Sequence, residues 1–433
     1  MNELGAYTLI IIASLIVIAS FLFSEVSKRT NVPSVLLLIL LGVGLHFAFP
    51  EILDQVDFSA GLELLGIVGL IMIVLEAALE LKLARHQLVP IAKALGIALV
   101  GLLLSAWVAA EVLMYAVPTM DVTSAWLYAT PLSILSSAII IPSVGGLRRD
   151  KKEFHVYEST FSDILGIVVF YFLAGPFEAR ESGGHEQGLG EYLGMLGLTV
   201  FGAFVVSFGL VLLFQRLKSH VKLFLLIAVL LLLYAVGKKY HLSSLIIILV
   251  FGLMFANVSL FFFGPFQRFL KADRVAQVFE GLHVVTVETA FVVRTFFFVI
   301  FGLTIDPTTL IHLDVAAISV VIIASIYAIR YVLLRLTIGK DIFPQLFVAP
   351  RGLITILLFN AIPAAAIVPE FQPGILLFVI IGTSLIMTIA MVQDRKRAGK
   401  AIRKAQATPV DISIWQAPTI QTAALDEGAR PAH

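Results

Sequence analysis

The chain has no cysteine, which excludes disulfides, thiol catalysis, iron–sulfur clusters and cysteine-type zinc sites. Its nine histidines are scattered, with no His-x-x-x-His or similar pair, so a metal enzyme is disfavoured. Charge is scarce too. Only 14% of the 433 residues are Asp, Glu, Lys or Arg, well under the roughly 25% of soluble domains. The start, Met1-Asn2-Glu3-Leu4, lacks the basic segment of a signal peptide and no small-residue cleavage site follows, so the first apolar run is expected to be retained. No nucleophile–base or metal constellation is visible, so no enzyme is expected, and neither is a cofactor or a nucleic-acid partner.

What is present is apolar. Hydrophobic residues make up 59% of the chain and the mean hydropathy is +1.00, the composition of an integral protein of the lipid bilayer. Runs of about 16 to 25 apolar residues are each long enough to cross roughly 30 Å of hydrocarbon as a helix. Reading them between polar breaks predicts about thirteen spans: 6–23, 33–49, 61–79, 91–117, 125–146, 155–176, 191–214, 221–237, 242–257, 283–303, 312–336, 345–367 and 374–392. The fold class is therefore an all-α polytopic membrane protein. A mixed Phe and base segment at 264–280 predicts an interfacial amphipathic helix, and the Glu-, Gly- and His-rich loop at 178–190 is expected to be flexible. The transporter domain is expected to end near 392, with residues 393–433 a largely disordered tail.

The loops set the orientation, because Lys and Arg collect on the cytoplasmic side. Lys28 and Arg29, Lys82 and Arg85, the Arg148-Arg149-Asp150-Lys151-Lys152 cluster, Arg335 and Lys340, and the bases from Arg395 to Lys404 all fall on one face. The opposite loops carry Glu51, Asp54, Asp57, Asp121, Glu178 and Glu181, and Lys238-Lys239 is the exception. The N-terminus is expected outside and the C-terminus in the cytoplasm, in the multi-pass manner of a bacterial inner-membrane protein.

Two spans are interrupted. The fifth contains Pro131, Ser133, Ser136, Ser137, Pro142, Ser143 and Gly145-Gly146, and the twelfth contains Pro344, Pro350-Arg351-Gly352, Asn360 and Pro363. Proline removes a backbone hydrogen bond, and irregular backbone survives at membrane depth only where protein or a watery cavity covers it. The spans are seven apart and so run in opposite directions. Interrupted helices at matching places in two halves point to a substrate site at the crossing of inverted repeats. The expected repeats are about 1–178 and 218–392, six spans each, with the helix at about 191–214 as linker.

Charges inside the spans complete the pattern, since an ionisable group at that depth is costly and marks function by default. Glu158 and Asp163 are five residues apart, about 140° round a helix, so they do not share a face. Ser162 lies on the face of Glu158, and Ser159 on that of Asp163. Glu158 and Arg330 would both sit roughly 7 to 10 Å deep from the inner interface, which makes an ion pair plausible and leaves Asp163 free. A free carboxylate there holds a proton or a cation but not both, and that competition alone gives exchange, electroneutral if one proton is swapped for one monovalent cation. Glu76, Glu80 and Glu288 are the other expected buried acids, with Arg294 pairing to Glu76 or Glu80.

These residues resemble a known family. Glu158-Ser159-x-x-Ser162-Asp163 is similar to the Glu-Ser-x-x-Asn-Asp motif of the cation/proton antiporters, in their NhaP-like sodium/proton branch. Val348-Ala349-Pro350-Arg351-Gly352-Leu353 resembles that branch's Gly-Leu-Arg-Gly segment, and Ala328-Ile329-Arg330 its arginine-bearing helix. The resemblance implies that Asp163 binds the proton and, transiently, a monovalent cation, that Glu158 pairs with Arg330, that Ser159 supplies oxygen ligands, and that the protein is a homodimer; Ser162 is counted with Asp163 and Ser159 in the expected binding site. Ser162 stands where the family has Asn, and Ile140-Ile141-Pro142 where it has Thr-Asp-Pro. Leu135-Ser136-Ser137-Ala138 is closer to the Leu-Ser-Ser-Thr of the potassium-efflux, Kef-like branch. Without the Thr, backbone carbonyls near Pro142 with Ser136, Ser137 or Ser143 would complete the site. Two other readings stand beside exchange of Na⁺ or K⁺ for H⁺: symport of an organic anion held by Arg294 or Arg351, and a membrane sensor that does not transport.

Overall fold

The computed structural model describes residues 6–30, 32–48, 59–81, 83, 88–181, 189–215, 222–239, 244–261, 272–304 and 312–407. Among these residues the regular structure is helical throughout: α1 (Ala6–Thr30), α2 (Ser34–Ala48), α3 (Ser59–Glu80), α4 (Leu88–Ala116), α5 (Val122–Ser133), α6 (Ser137–Ser143), α7 (Arg149–Glu181), α8 (Leu189–Phe214), α9 (Lys222–Lys239), α10 (Ser244–Ala256), α11 (Val258–Phe261), α12 (Ala272–Thr304), α13 (Leu313–Thr337), α14 (Leu353–Asn360) and α15 (Gly374–Ala407). Each apolar run read from the sequence overlaps one of them. Among the described residues, eight spans are long and apolar enough to cross a membrane by length and composition.

Small residues let membrane helices approach one another closely. On α4 the buried face carries Ala94, Ala98, Ala106, Ala109 and Ala110, while Leu95, Leu99, Leu103 and Trp107 are exposed. The tightest crossing is between α2 and α12. A Cβ on Gly42 would strike the carbonyl of Val299 and the Cα of Gly302, and one on Gly302 would strike the carbonyl of Ile39. Backbone lies on backbone there, and only glycine fits.

Polar side chains hold the helix ends. Asp121 caps α5, accepting from the N–H of Thr123 at 3.0 Å and of Ser124 at 3.3 Å. Partial burial pushes its pKa up, but hydrogen bonds from Ser124 and the backbone outweigh this and hold it below the usual value. Past the end of α10, buried Asn257 receives the N–H of Leu83 at 2.6 Å and donates to the carbonyl of Leu81 at 2.8 Å. One amide thus fixes the exit of α3.

Two boundaries differ from expectation. Residues 272–280 are the start of α12 rather than part of a separate interfacial helix, because the bases there stand on a continuous helix that leads straight into an apolar stretch. The remainder of 264–271 lies outside the described residues. The last helix runs beyond 392 to Ala407, carried by Ala, Lys and Arg, which are strong helix formers. The tail from 408 and loop residues 182–188 also lie outside the described residues.

Candidate functional site

The fifth span breaks between α5 and α6, at Ile134–Ser136. Three N–H groups lose their helical acceptors there and each finds a replacement. Leu135 donates to Ser162 Oγ at 2.9 Å, Ser136 to the carbonyl of Pro350 at 3.0 Å, and Ser137 to Asp163 Oδ2 at 3.3 Å. Two acceptors come from α7 and one from the second interrupted span, so the two breaks are hydrogen-bonded to each other across the molecule. Pro142 and Ser143, expected at the break, instead lie near the end of α6. A proline late in a seven-residue helix costs a single internal bond, and Ser143 Oγ donates to the carbonyl of Ile139 at 2.7 Å.

The break also strands the carbonyls that end α5. Arg351, fully buried at 2% exposure, donates from Nε to Leu132 at 2.9 Å, from Nη2 to Ser133 at 3.2 Å and from Nη1 to its own neighbour Ala349 at 2.8 Å. A cation at a helix C-terminus offsets the dipole as well as the lone pairs. Its backbone N–H donates to Thr383 Oγ1 on α15 at 3.0 Å. Gly352 follows, and a Cβ there would come within 2.6 Å of Ser136 Oγ and 2.8 Å of Ile139 Cδ1. A side chain at this position would push the two breaks apart.

Asp163 sits at this crossing with 1% exposure. One oxygen accepts from Ser137, and the other, Oδ1, is buried with no hydrogen-bond partner. Among the described residues no basic side chain pairs with it, because the arginines around it are committed elsewhere. Arg330 makes a bidentate pair with Glu158 at 2.6 and 2.8 Å and also donates to the carbonyl of Gln345 at 3.1 and 3.0 Å. Five N–H donors in a rigid fork suit that carboxylate-plus-carbonyl geometry. Lys151, at the start of α7, ties down the same loop by donating to the carbonyl of Phe343 at 2.7 Å and pairing with Asp341 at 2.9 Å.

The serines of the motif serve the scaffold. Ser162 accepts from the break, and Ser159, expected as a ligand, spends its proton on the carbonyl of His155 at 2.7 Å. His155 itself is missing from the sequence reading. It is fully buried, 3.4 Å from Glu158 Oε2 and without a hydrogen bond to either ring nitrogen. Its spacing of three from Glu158 on one helix face was the available signal.

A cavity of about 250 Å³ reaches the crossing from one side. Glu76, Glu80 and Arg294 line it, and Ser137, Ala138 and Pro142 are among its walls. Arg294 pairs with Glu76 at 3.1 Å, with both side chains only partly buried. Glu288, expected among the buried acids, is exposed, because six residues from Arg294 on one helix put it about 120° away. The cavity thus ends at Ser137, whose peptide N–H donates to Asp163. What the arrangement offers chemically is one uncommitted carboxylate oxygen between two broken helices, close to a cavity with acidic walls.

The comparisons with known proteins agree with this architecture. The sodium/hydrogen exchanger transmembrane family matches the chain over residues 11–393. No curated protein sequence matches. Among solved structures the chain is similar to the sodium proton antiporter MjNhaP1 from Methanocaldococcus jannaschii at pH 8, with 19% identity and a TM-score of 0.66, over 92% of this chain and 99% of that one. An electron-microscopy structure of the same antiporter matches with 18% identity and a TM-score of 0.62, over 94% and 100% of the two chains.

Proposed function

This chain belongs to the sodium/hydrogen exchanger family, and from that premise we propose that it exchanges one monovalent cation for one proton, with Asp163 as the site both occupy in turn. The observation that carries the proposal is the unpartnered Asp163 Oδ1 at the crossing of the two breaks. Proton and cation compete for a single carboxylate, so its charge is neutralised in either loaded state. Glu158 stays locked to Arg330 and adds no second exchangeable charge, which favours a ratio of one to one. The ligands that complete the cation's shell would come from the broken backbone and the hydroxyls of Ser136 and Ser137.

Alternating access follows if the segment carrying α6, α7 and α14 moves against α1, α2, α3 and α12, closing the 250 Å³ cavity while another route opens beyond the crossing. With the base-rich loops inside, this cavity faces the cytoplasm. A homodimer supplies a fixed frame for such movement, and the resulting proton flux serves pH homeostasis. The anion-symport reading is disfavoured by the site itself, since the Arg351 guanidinium already donates to three carbonyls and Arg294 is paired with Glu76.

The test is proton flux in proteoliposomes driven by Na⁺, K⁺ and Li⁺ in turn, with and without an imposed membrane potential. At least one of these cations should drive proton movement whose rate does not respond to the potential. A net current carried with the exchange would contradict the one-to-one ratio.

A further inference from the structure

Outside the crossing, α4 and α13 enclose a surface groove of about 540 Å³, within the roughly 300–1,000 Å³ of pockets that hold small ligands. Trp107, Tyr115, Ala317, Ile318 and Val321 form its apolar walls, and Glu111 is the charged group among its described lining residues. Glu111 lies five residues before the end of α4 at Ala116, about 7.5 Å along the axis, close to where a span meets the headgroups. Trp107 is 50% and Tyr115 91% exposed, as in the aromatic belt of a membrane interface. The indole N–H of Trp107 donates to Glu111 Oε1 at 3.2 Å, holding the carboxylate over the groove.

A carboxylate on the lipid-facing surface is costly without a counter-charge, and no basic residue lines this groove among the described residues. Asp121, just before α5, and Asp314, in the first turn of α13, lie toward the same end of the bundle and add to its negative character. A ligand that suits the place has an apolar chain for the slot and a cation at the headgroup level. We propose that the groove binds one phosphatidylethanolamine molecule, its acyl chain between α4 and α13 and its ammonium paired with Glu111. An ammonium with N–H donors satisfies a carboxylate through charge-assisted hydrogen bonds. A choline headgroup has no N–H to give, and an anionic headgroup is repelled.

The test is native mass spectrometry of the full-length protein, delipidated and then offered an equimolar mixture of phosphatidylethanolamine, phosphatidylcholine and phosphatidylglycerol. The wild type should retain phosphatidylethanolamine preferentially. Glu111→Gln should retain about tenfold less of it, the usual scale for losing one charge-assisted pair, while still exchanging cations for protons. Ala317→Trp, which fills the slot from the other helix, should lose the lipid with Glu111 intact. Equal retention of the three lipids by the wild type, preference for phosphatidylglycerol, or unchanged phosphatidylethanolamine retention in both variants would overturn the assignment.

Discussion

Asp163→Asn should abolish cation-driven proton movement while leaving the protein folded. Asparagine is close to isosteric, and its amide oxygen can still accept from the N–H of Ser137, as Oδ2 does now at 3.3 Å. The break between α5 and α6 therefore keeps its accounting of backbone groups. What disappears is the ionisable oxygen that has no partner, and with it the only step in which a proton and a cation exclude one another. In everted vesicles a pH dye that is dequenched when cation is added to the wild type should show no response in the variant, and thermal stability should change by no more than about 1 kcal/mol, the scale of one altered neutral hydrogen bond. Full exchange by Asp163→Asn would remove this residue from the mechanism.

The second large effect concerns stability. Arg330 satisfies both oxygens of Glu158 and the carbonyl of Gln345 at once. Arg330→Met keeps the bulk of the side chain but strands a carboxylate that is 1% exposed. Breaking a buried pair from one side costs about 3–5 kcal/mol, whereas replacing both members by apolar groups is often close to neutral. Arg330→Met should therefore be strongly destabilised in thermal unfolding of the detergent-solubilised protein, and Glu158→Leu combined with Arg330→Met should recover most of the loss. Simple additivity of the two single changes in a double-mutant cycle would mean that the two side chains are not coupled as their geometry implies.

The scaffold was largely legible in the sequence because the bilayer makes it so. Apolar runs must be helices in lipid, and the interrupted runs stand out against them by their prolines, serines and glycines. The matched depths of Glu158 and Arg330 and the isolation of Asp163 follow from helix rise and from the face each residue occupies. Pairings that depend on which helices touch were not legible. Nothing in the order of residues says that Arg351 reaches the end of α5, that Thr383 on α15 holds its backbone, or that Asn257 on the turn after α10 closes the exit of α3. Nor does it say which of Glu76 and Glu80 meets Arg294. Of the residues expected at the first break, Ser136 and Ser137 border the interruption while Pro142 and Ser143 lie further along α6. The interruption lies at Ile134–Ser136, where acceptors from α7 and from Pro350 draw the N–H groups out of the helix. Such tertiary acceptors leave no local mark.

The central claim is that a proton and a cation share one carboxylate. Its most direct test is the apparent KM for the driving cation as a function of pH on the same side of the membrane, with the opposite side held constant. Where the site is mainly protonated, mass action predicts that each unit of acidification raises the KM by about tenfold, with the maximal rate little changed. A KM that stays constant across that range while only the maximal rate falls would contradict the account, since the proton would then be acting somewhere other than Asp163.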